Sequence, residues 1–197
     1  MTLTLFLLIV GAVLMGSIPF GVLIARVRGV DLKKVGSGNI GATNVLRTMG
    51  KAPALLTLTG DVLKGTIPVL AAKYFLHNPT LEGIVGLAVI LGHNFSLFLR
   101  LRGGKGVATS IGVLFVYSPY AAAATVVLWL AAIFLTKYSS LGAIVSFGLL
   151  PVSMYLFDNS REKLIVSFMI AALLMIRHAD NINRLIRGTE PRIGERA

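Results

Sequence analysis

LTLFLLIVGAVLMGSIPFGVLIA, residues 3–25, holds no charged side chain. As a helix rising 1.5 Å per residue it is long enough to cross the roughly 30 Å hydrocarbon core of a bilayer. Pro19 predicts a kink near its far end, and the first cations, Arg26 and Arg28, follow directly. The residues ahead of it, Met1 and Thr2, lack the basic region of a cleavable signal. The run therefore reads as an uncleaved first span whose N-terminus lies outside.

The rest of the chain agrees. Of 197 residues, 55% are hydrophobic and 14% charged, with mean hydropathy +0.82. Soluble domains carry about 25% charged residues. Further apolar runs cover 52–76, 83–99, 107–116, 120–135, 141–156 and 164–176. The expectation is one domain over 1–197, an all-α polytopic membrane bundle of about seven spans, with a turn at 77–82 and a polar tail from 179. Several runs are shorter than a full crossing, so the loops before them are expected to dip inward, which is tolerated only where they line a cavity.

Charge sets the orientation. Arg26, Arg28, Lys33, Lys34, Arg47, Lys51, Arg100, Arg102, Lys105, Lys137, Arg177, Arg184, Arg187, Arg192 and Arg196 all fall on one side of a seven-span arrangement. Only Lys64, Lys73, Arg161 and Lys163 do not. By the positive-inside rule that side, and the C-terminus, is cytoplasmic. The net charge of +11 is thereby explained by topology, not by nucleic acid. The chain has no cysteine, which excludes disulfides, thiolate metal sites and a cysteine nucleophile. Its three histidines are far apart, so neither a metal nor a cofactor is expected.

Two glycine-rich segments stand on the inner side. The first, Ser37-Gly38-Asn39-Ile40-Gly41-Ala42-Thr43-Asn44, is followed by Arg47. The second, Gly103-Gly104-Lys105-Gly106-Val107-Ala108-Thr109-Ser110, opens an apolar run. Uncovered glycine amides, a helix N-terminus and a lysine together make a phosphate seat. The two segments echo each other, each read as leading into a membrane helix, so two phosphates are expected. Neither is a nucleotide motif. Gly36-Ser37-Gly38-Asn39-Ile40-Gly41 matches G-x-G-x-x-G but follows the charged stretch 31–35 instead of a buried strand. The lysine loop lacks the first Walker glycine, Leu99 standing there. His178 and Asn181 share a helix face at i,i+3, and Asp61 with Lys64, in the second span, reads as a structural pair pinning the bundle.

The motif at 37–47, the glycine-lysine loop, Lys137-Tyr138-Ser139-Ser140-Leu141-Gly142, and Arg177-His178 with Asn181-Ile182 and Glu190 occur in one order. Together they resemble the bacterial acyl-phosphate:glycerol-3-phosphate acyltransferases, the PlsY family of integral membrane enzymes. The resemblance covers nearly the whole chain. It implies transfer of a fatty acyl group from acyl phosphate to the 1-hydroxyl of glycerol 3-phosphate, the first acylation of phospholipid synthesis. It also implies a bacterial inner-membrane protein whose site faces the cytoplasm. Implied partners are the two substrates, membrane lipid and the enzyme that makes acyl phosphate. Carried onto this sequence, the catalytic residues are Ser37, Arg47, Lys105, His178 and Asn181. Gly38, Asn39, Gly41, Thr43, Asn44, His93, Gly103, Gly104, Gly106, Thr109, Ser140 and Glu190 would bind substrate. No histidine has Asp five positions on, so the acid–base dyad of thioester-using acyltransferases is missing. The rival expectation is an organophosphate transporter, which would need polar residues continuing across the membrane.

Overall fold

The computed structural model describes residues 2–194; Met1 and residues 195–197, Arg196 among them, lie outside the described residues. Regular structure among the described residues is entirely helical. The opening run forms α1 (Thr2–Ser17) and α2 (Phe20–Val27), broken at Ile18-Pro19. Proline has no N–H to continue the helical ladder, and its ring crowds the preceding turn. The segment 26–51, read as a polar loop, contains a short amphipathic helix, α3 (Ala42–Met49). Gly50, at φ 87°, turns it into α4 (Lys51–Leu76). Helix α5 (Pro79–Asn94) starts earlier than the expected residue 83. Asn78 caps it by accepting from the Thr80 and Leu81 amides, and Pro79 is preset for the first helical position. A 3₁₀ turn at Leu97–Leu99 leads through the lysine loop into α6 (Val107–Tyr117). Then come α7 (Pro119–Thr136), α8 (Ser139–Gly148), α9 (Leu150–Phe157), α10 (Arg161–Arg177) and α11 (Ala179–Ile186).

Four stretches are long and apolar enough to cross a membrane: Leu3–Val27, Lys51–Leu76, Pro79–Leu99 and Pro119–Thr136. The bent pairs α8–α9 (45°) and α10–α11 (58°) raise this to six. Helix α6 has 11 residues, about 17 Å, and is too short to cross alone.

A large apolar core joins α5, α6, α8, α9 and α10 through Val85, Ile90, Leu114, Phe147, Met154 and Ile170. A smaller one, Ala25, Leu32, Ile40, Val45 and Ala54, fastens the first loop and α3 onto α2 and α4. Helices α4 and α6 pack at glycine contact. A Cβ on Gly65 would lie 2.2 Å from the Thr109 carbonyl oxygen, and one on Gly112 2.1 Å from that of Val62. Asp61 and Lys64, read above as a structural pair, are both buried in α4. They pair at 2.7 Å while Lys64 Nζ also donates to the Ile18 carbonyl at 2.8 Å. A buried ion pair thus pins α4 to the break between α1 and α2.

Candidate active site

One cavity of about 670 Å³ opens where four of the polar segments meet. Ser37, Asn39, Thr43 and Arg47 face it from the first loop and α3, Lys105 and Gly106 from the lysine loop. Ser139 and Ser140 enter from the start of α8, and His178, Asn181 and Glu190 from α11 and the tail. Asn44, Lys51, Asp61 and His93 also line it, with apolar side chains between: Leu55 and Leu58 of α4, Ile111 of α6, Trp129 of α7, Ala143 of α8. Polar and apolar groups therefore share one space.

Lys105 Nζ donates to Asn181 Oδ1. Asn181 Nδ2 donates to Glu190 Oε1 at 2.6 Å, and Arg184 Nε to Glu190 Oε2 at 2.7 Å. The tail is thereby tied across the cavity edge, with Ile193 N donating to the Lys137 carbonyl at 2.8 Å. Burial, joined by the charges of Arg184 and Arg177 and opposed by Glu190 and Asp180, brings the Lys105 ammonium down to about 8. Burial pushes the Glu190 carboxyl up, but Ser140, Asn181 and Arg184 around it outweigh that and hold it below the usual carboxylate range. The Ser140 hydroxyl acts on Glu190 from nearby without a well-formed hydrogen bond to any described residue. Arg47 also lines the cavity, and its Nε is buried with no hydrogen-bond partner among the described residues. A buried guanidinium donor left open in this way calls for an anion.

The first loop is organised by Asn44, which is buried. Its Oδ1 accepts from the Ser37 amide at 2.9 Å, and its Nδ2 donates to the carbonyls of Leu32 (3.3 Å), Val35 (3.1 Å) and Asn39 (2.8 Å). Those bonds fold the loop and position Ser37, and Asn44 also stands in the cavity wall. Thr43 Oγ1 lies 3.1 Å from Ser139 Oγ, joining the first loop to α8. The segment 37–44 leads into α3, a short helix with a polar face, Thr43, Arg47 and Thr48 among its eight residues, which corrects the expectation of two loops each opening a membrane span.

The lysine loop is also held differently from expectation. The Gly104 N–H, expected to face a phosphate, donates to the His93 carbonyl at 3.1 Å. A Cβ on Gly103 would fall 1.9 Å from that same oxygen, so glycine is required there by close backbone approach. Gly103 and Gly104 do not line the cavity, nor do Gly38 and Thr109. Thr109 Oγ1 instead lies 3.1 Å from His93 Nδ1, fixing a histidine whose ring does reach the cavity. Gly106, at φ 86°, starts α6 in a left-handed conformation and does line it, as does Gly41.

His178 is buried at the junction of α10 and α11. Its Nδ1 lies 2.8 Å from the Leu174 carbonyl oxygen. A carbonyl only accepts, so Nδ1 carries the proton and Nε2 keeps its lone pair when the ring is neutral. Sequence reasoning missed Lys51, Ser139, Trp129, Leu55, Leu58 and Ile193 in the lining. Ser139 had a signal, standing beside Ser140 in the same motif. Leu55, Leu58 and Trp129 had none, because in an apolar helix the cavity-facing side is not marked.

The family profile described as glycerol-3-phosphate acyltransferase matches residues 6–188. A glycerol-3-phosphate acyltransferase of Thermus thermophilus is 48% identical over 94% of this chain and 94% of its own length. One from Trichlorobacter lovleyi is 44% identical over 92% of this chain and 94% of its own. The crystal structure of PlsY, an integral membrane glycerol 3-phosphate acyltransferase in its glycerol 3-phosphate form, superposes with a TM-score of 0.92 at 41% identity, covering 96% of each chain. Its lysophosphatidic acid form gives 0.89 at 40% identity, covering 96% of this chain and 95% of that one.

Proposed function

The chain belongs to the glycerol-3-phosphate acyltransferase family, and from that premise we propose that it moves a fatty acyl group from acyl phosphate to the 1-hydroxyl of glycerol 3-phosphate at the cytoplasmic face of a bacterial inner membrane. One observation carries the reading: Arg47 and Lys105 line the same cavity as the apolar side chains Leu55, Leu58 and Trp129. The cations suit a phosphate, and the apolar side chains suit an acyl tail.

Lys105, Asn181, Arg47 and His178 hold glycerol 3-phosphate, while Ser37, Thr43 and Gly106 face the acyl phosphate. The hydroxyl oxygen attacks the acyl carbonyl carbon, the bond from that carbon to the phosphate oxygen breaks, and inorganic phosphate leaves. The hydroxyl proton passes to a phosphate oxygen. An acyl phosphate is already activated, so no acyl-enzyme is required. Holding two reactants in line contributes roughly 7–11 kcal/mol in favourable cases, and donors at the developing oxyanion a few more.

The test is purified protein given labelled glycerol 3-phosphate with acyl phosphate in one reaction and acyl-CoA in another. Lysophosphatidic acid from acyl phosphate alone is expected. Product from acyl-CoA alone would overturn the donor, and product from neither would overturn the activity.

A further inference from the structure

We propose that Arg177 is a positioning residue for the acyl transfer: its guanidinium grips the Gly103–Gly104 backbone and so aims Lys105 into the cavity. Arg177 does not line the cavity. Its Nε donates to the Gly104 carbonyl at 3.1 Å and its Nη2 to the Gly103 carbonyl at 3.3 Å. The guanidinium lies over the Phe95 ring, 5.4 Å from its centre. The same loop is held on its other side by the Gly104 N–H on His93.

Two neighbours on one helix end thereby do different things. His178 faces the cavity, and Arg177 reaches behind the loop that supplies the cavity's lysine. The break between α10 and α11 also carries Asn181, the partner of Lys105. Arg177 is thus the side chain that keeps Lys105 in register with Asn181 and His178, two groups more than 70 residues away in sequence. The planar fork suits two adjacent carbonyls; a lysine ammonium reaches them only as a point charge and does not stack on Phe95 in the same way. Two of the five guanidinium donors are taken by these carbonyls, and the residue stands outside the cavity lining.

This rests on the reading that the cavity binds glycerol 3-phosphate. The experiment compares wild type, Arg177→Met and Arg177→Lys, full chain in detergent, for KM, kcat and melting temperature. A rise in KM for glycerol 3-phosphate of roughly tenfold to a hundredfold is expected in both variants. Calorimetric binding of glycerol 3-phosphate then compares Lys105→Ala with Lys105→Ala/Arg177→Met. If Arg177 acts through Lys105, the double variant binds within about twofold of the single one. Wild-type behaviour of Arg177→Lys, or additive weakening in the double variant, would overturn the proposal in favour of a bare charge or a direct contact. Should Arg177→Met fail to fold, Phe95→Leu removes only the ring under the guanidinium; a KM rise of about threefold to tenfold is expected, and an unchanged KM overturns the inference. Wild type that neither binds glycerol 3-phosphate nor forms product sinks the reading and the inference together; an active wild type with unaltered variants sinks the inference alone.

Discussion

Lys105 and Asn181, 76 residues apart, are joined by a hydrogen bond in the wall of the cavity. That bond shares Asn181 with Glu190, and Glu190 with Arg184, so the charge on Lys105 sits at the end of a chain of polar contacts. Its environment is tuned: a lysine that ordinarily titrates near 10.5 is brought to about 8 by burial first and neighbouring arginines second.

The ammonium is accordingly present at neutral pH and lost as pH rises through about 8. The folded value lies below the unfolded one, so between 8 and 10.5 the unfolded state binds more protons and this group's contribution to stability rises with pH, while affinity for a phosphate dianion falls. kcat/KM for glycerol 3-phosphate, which reports the free enzyme, should fall by up to about tenfold per pH unit above that value. Lys105→Arg, permanently charged, should lack this alkaline limb. A flat wild-type profile to about pH 9.5 would refute the assignment of Lys105 to phosphate binding.

Arg47 should show opposed effects on function and stability. Its Nε is buried and unpartnered among the described residues, a cost to the empty protein. Arg47→Met removes that cost along with the charge. Turnover should drop about 10²–10³-fold, while the melting temperature in detergent holds or rises by a few degrees. A variant that is both active and destabilised would show that Arg47 is a structural cation.

His178 can be resolved by two amides. The Gln amide reaches the position of Nε2, where its oxygen accepts as Nε2 does, and the Asn amide nitrogen lies near that of Nδ1, which meets Leu174. If His178 binds substrate through Nε2, His178→Gln keeps more than about one hundredth of wild-type turnover with an unchanged pH profile, and His178→Asn loses more. A general base contributes about 10²–10⁴. A larger loss in the Gln variant, with the profile's acidic limb abolished, would make His178 the base.

The helical, apolar character of the chain and the convergence of the motifs were legible because each is written in composition. Ser37, Arg47, Lys105, His178 and Asn181, taken from separate motifs, do line one cavity. Other roles were not legible for physical reasons. Glycines 103 and 104 look alike whether they offer amides to a ligand or make room for a neighbour, and here Gly103 lies on the His93 backbone and Gly104 against the His93 ring. Helix α3 has only eight residues, too few to be stable alone, so it exists by packing Val45 onto Ala25 and Leu32. Arg177 read as one more inner cation, since nothing in a sequence shows which carbonyls a guanidinium meets.

The α4–α6 contact should prove the mechanical support of the site. A methyl on Gly65 would meet the Thr109 carbonyl at 2.2 Å, and one on Gly112 the Val62 carbonyl at 2.1 Å; both obstacles are backbone, which cannot swing aside. Thr109 also holds His93 through its hydroxyl, and it stands one helical turn past Lys105. Forcing α6 off α4 therefore moves the lysine loop and His93 together. Gly65→Ala and Gly112→Ala should cost about 1–3 kcal/mol each by overpacking, roughly 2–12 °C in melting temperature, and lower turnover in parallel. Gly11 supplies the comparison: it too is inside a helix, but a methyl there meets nothing within 4 Å. Gly11→Ala should be neutral or stabilising by up to about 1 kcal/mol, because alanine loses less entropy in a helix. Thermal denaturation of the three variants side by side decides the matter, and a Gly65→Ala protein as stable and active as Gly11→Ala would mean that α6 is free to shift without disturbing the site.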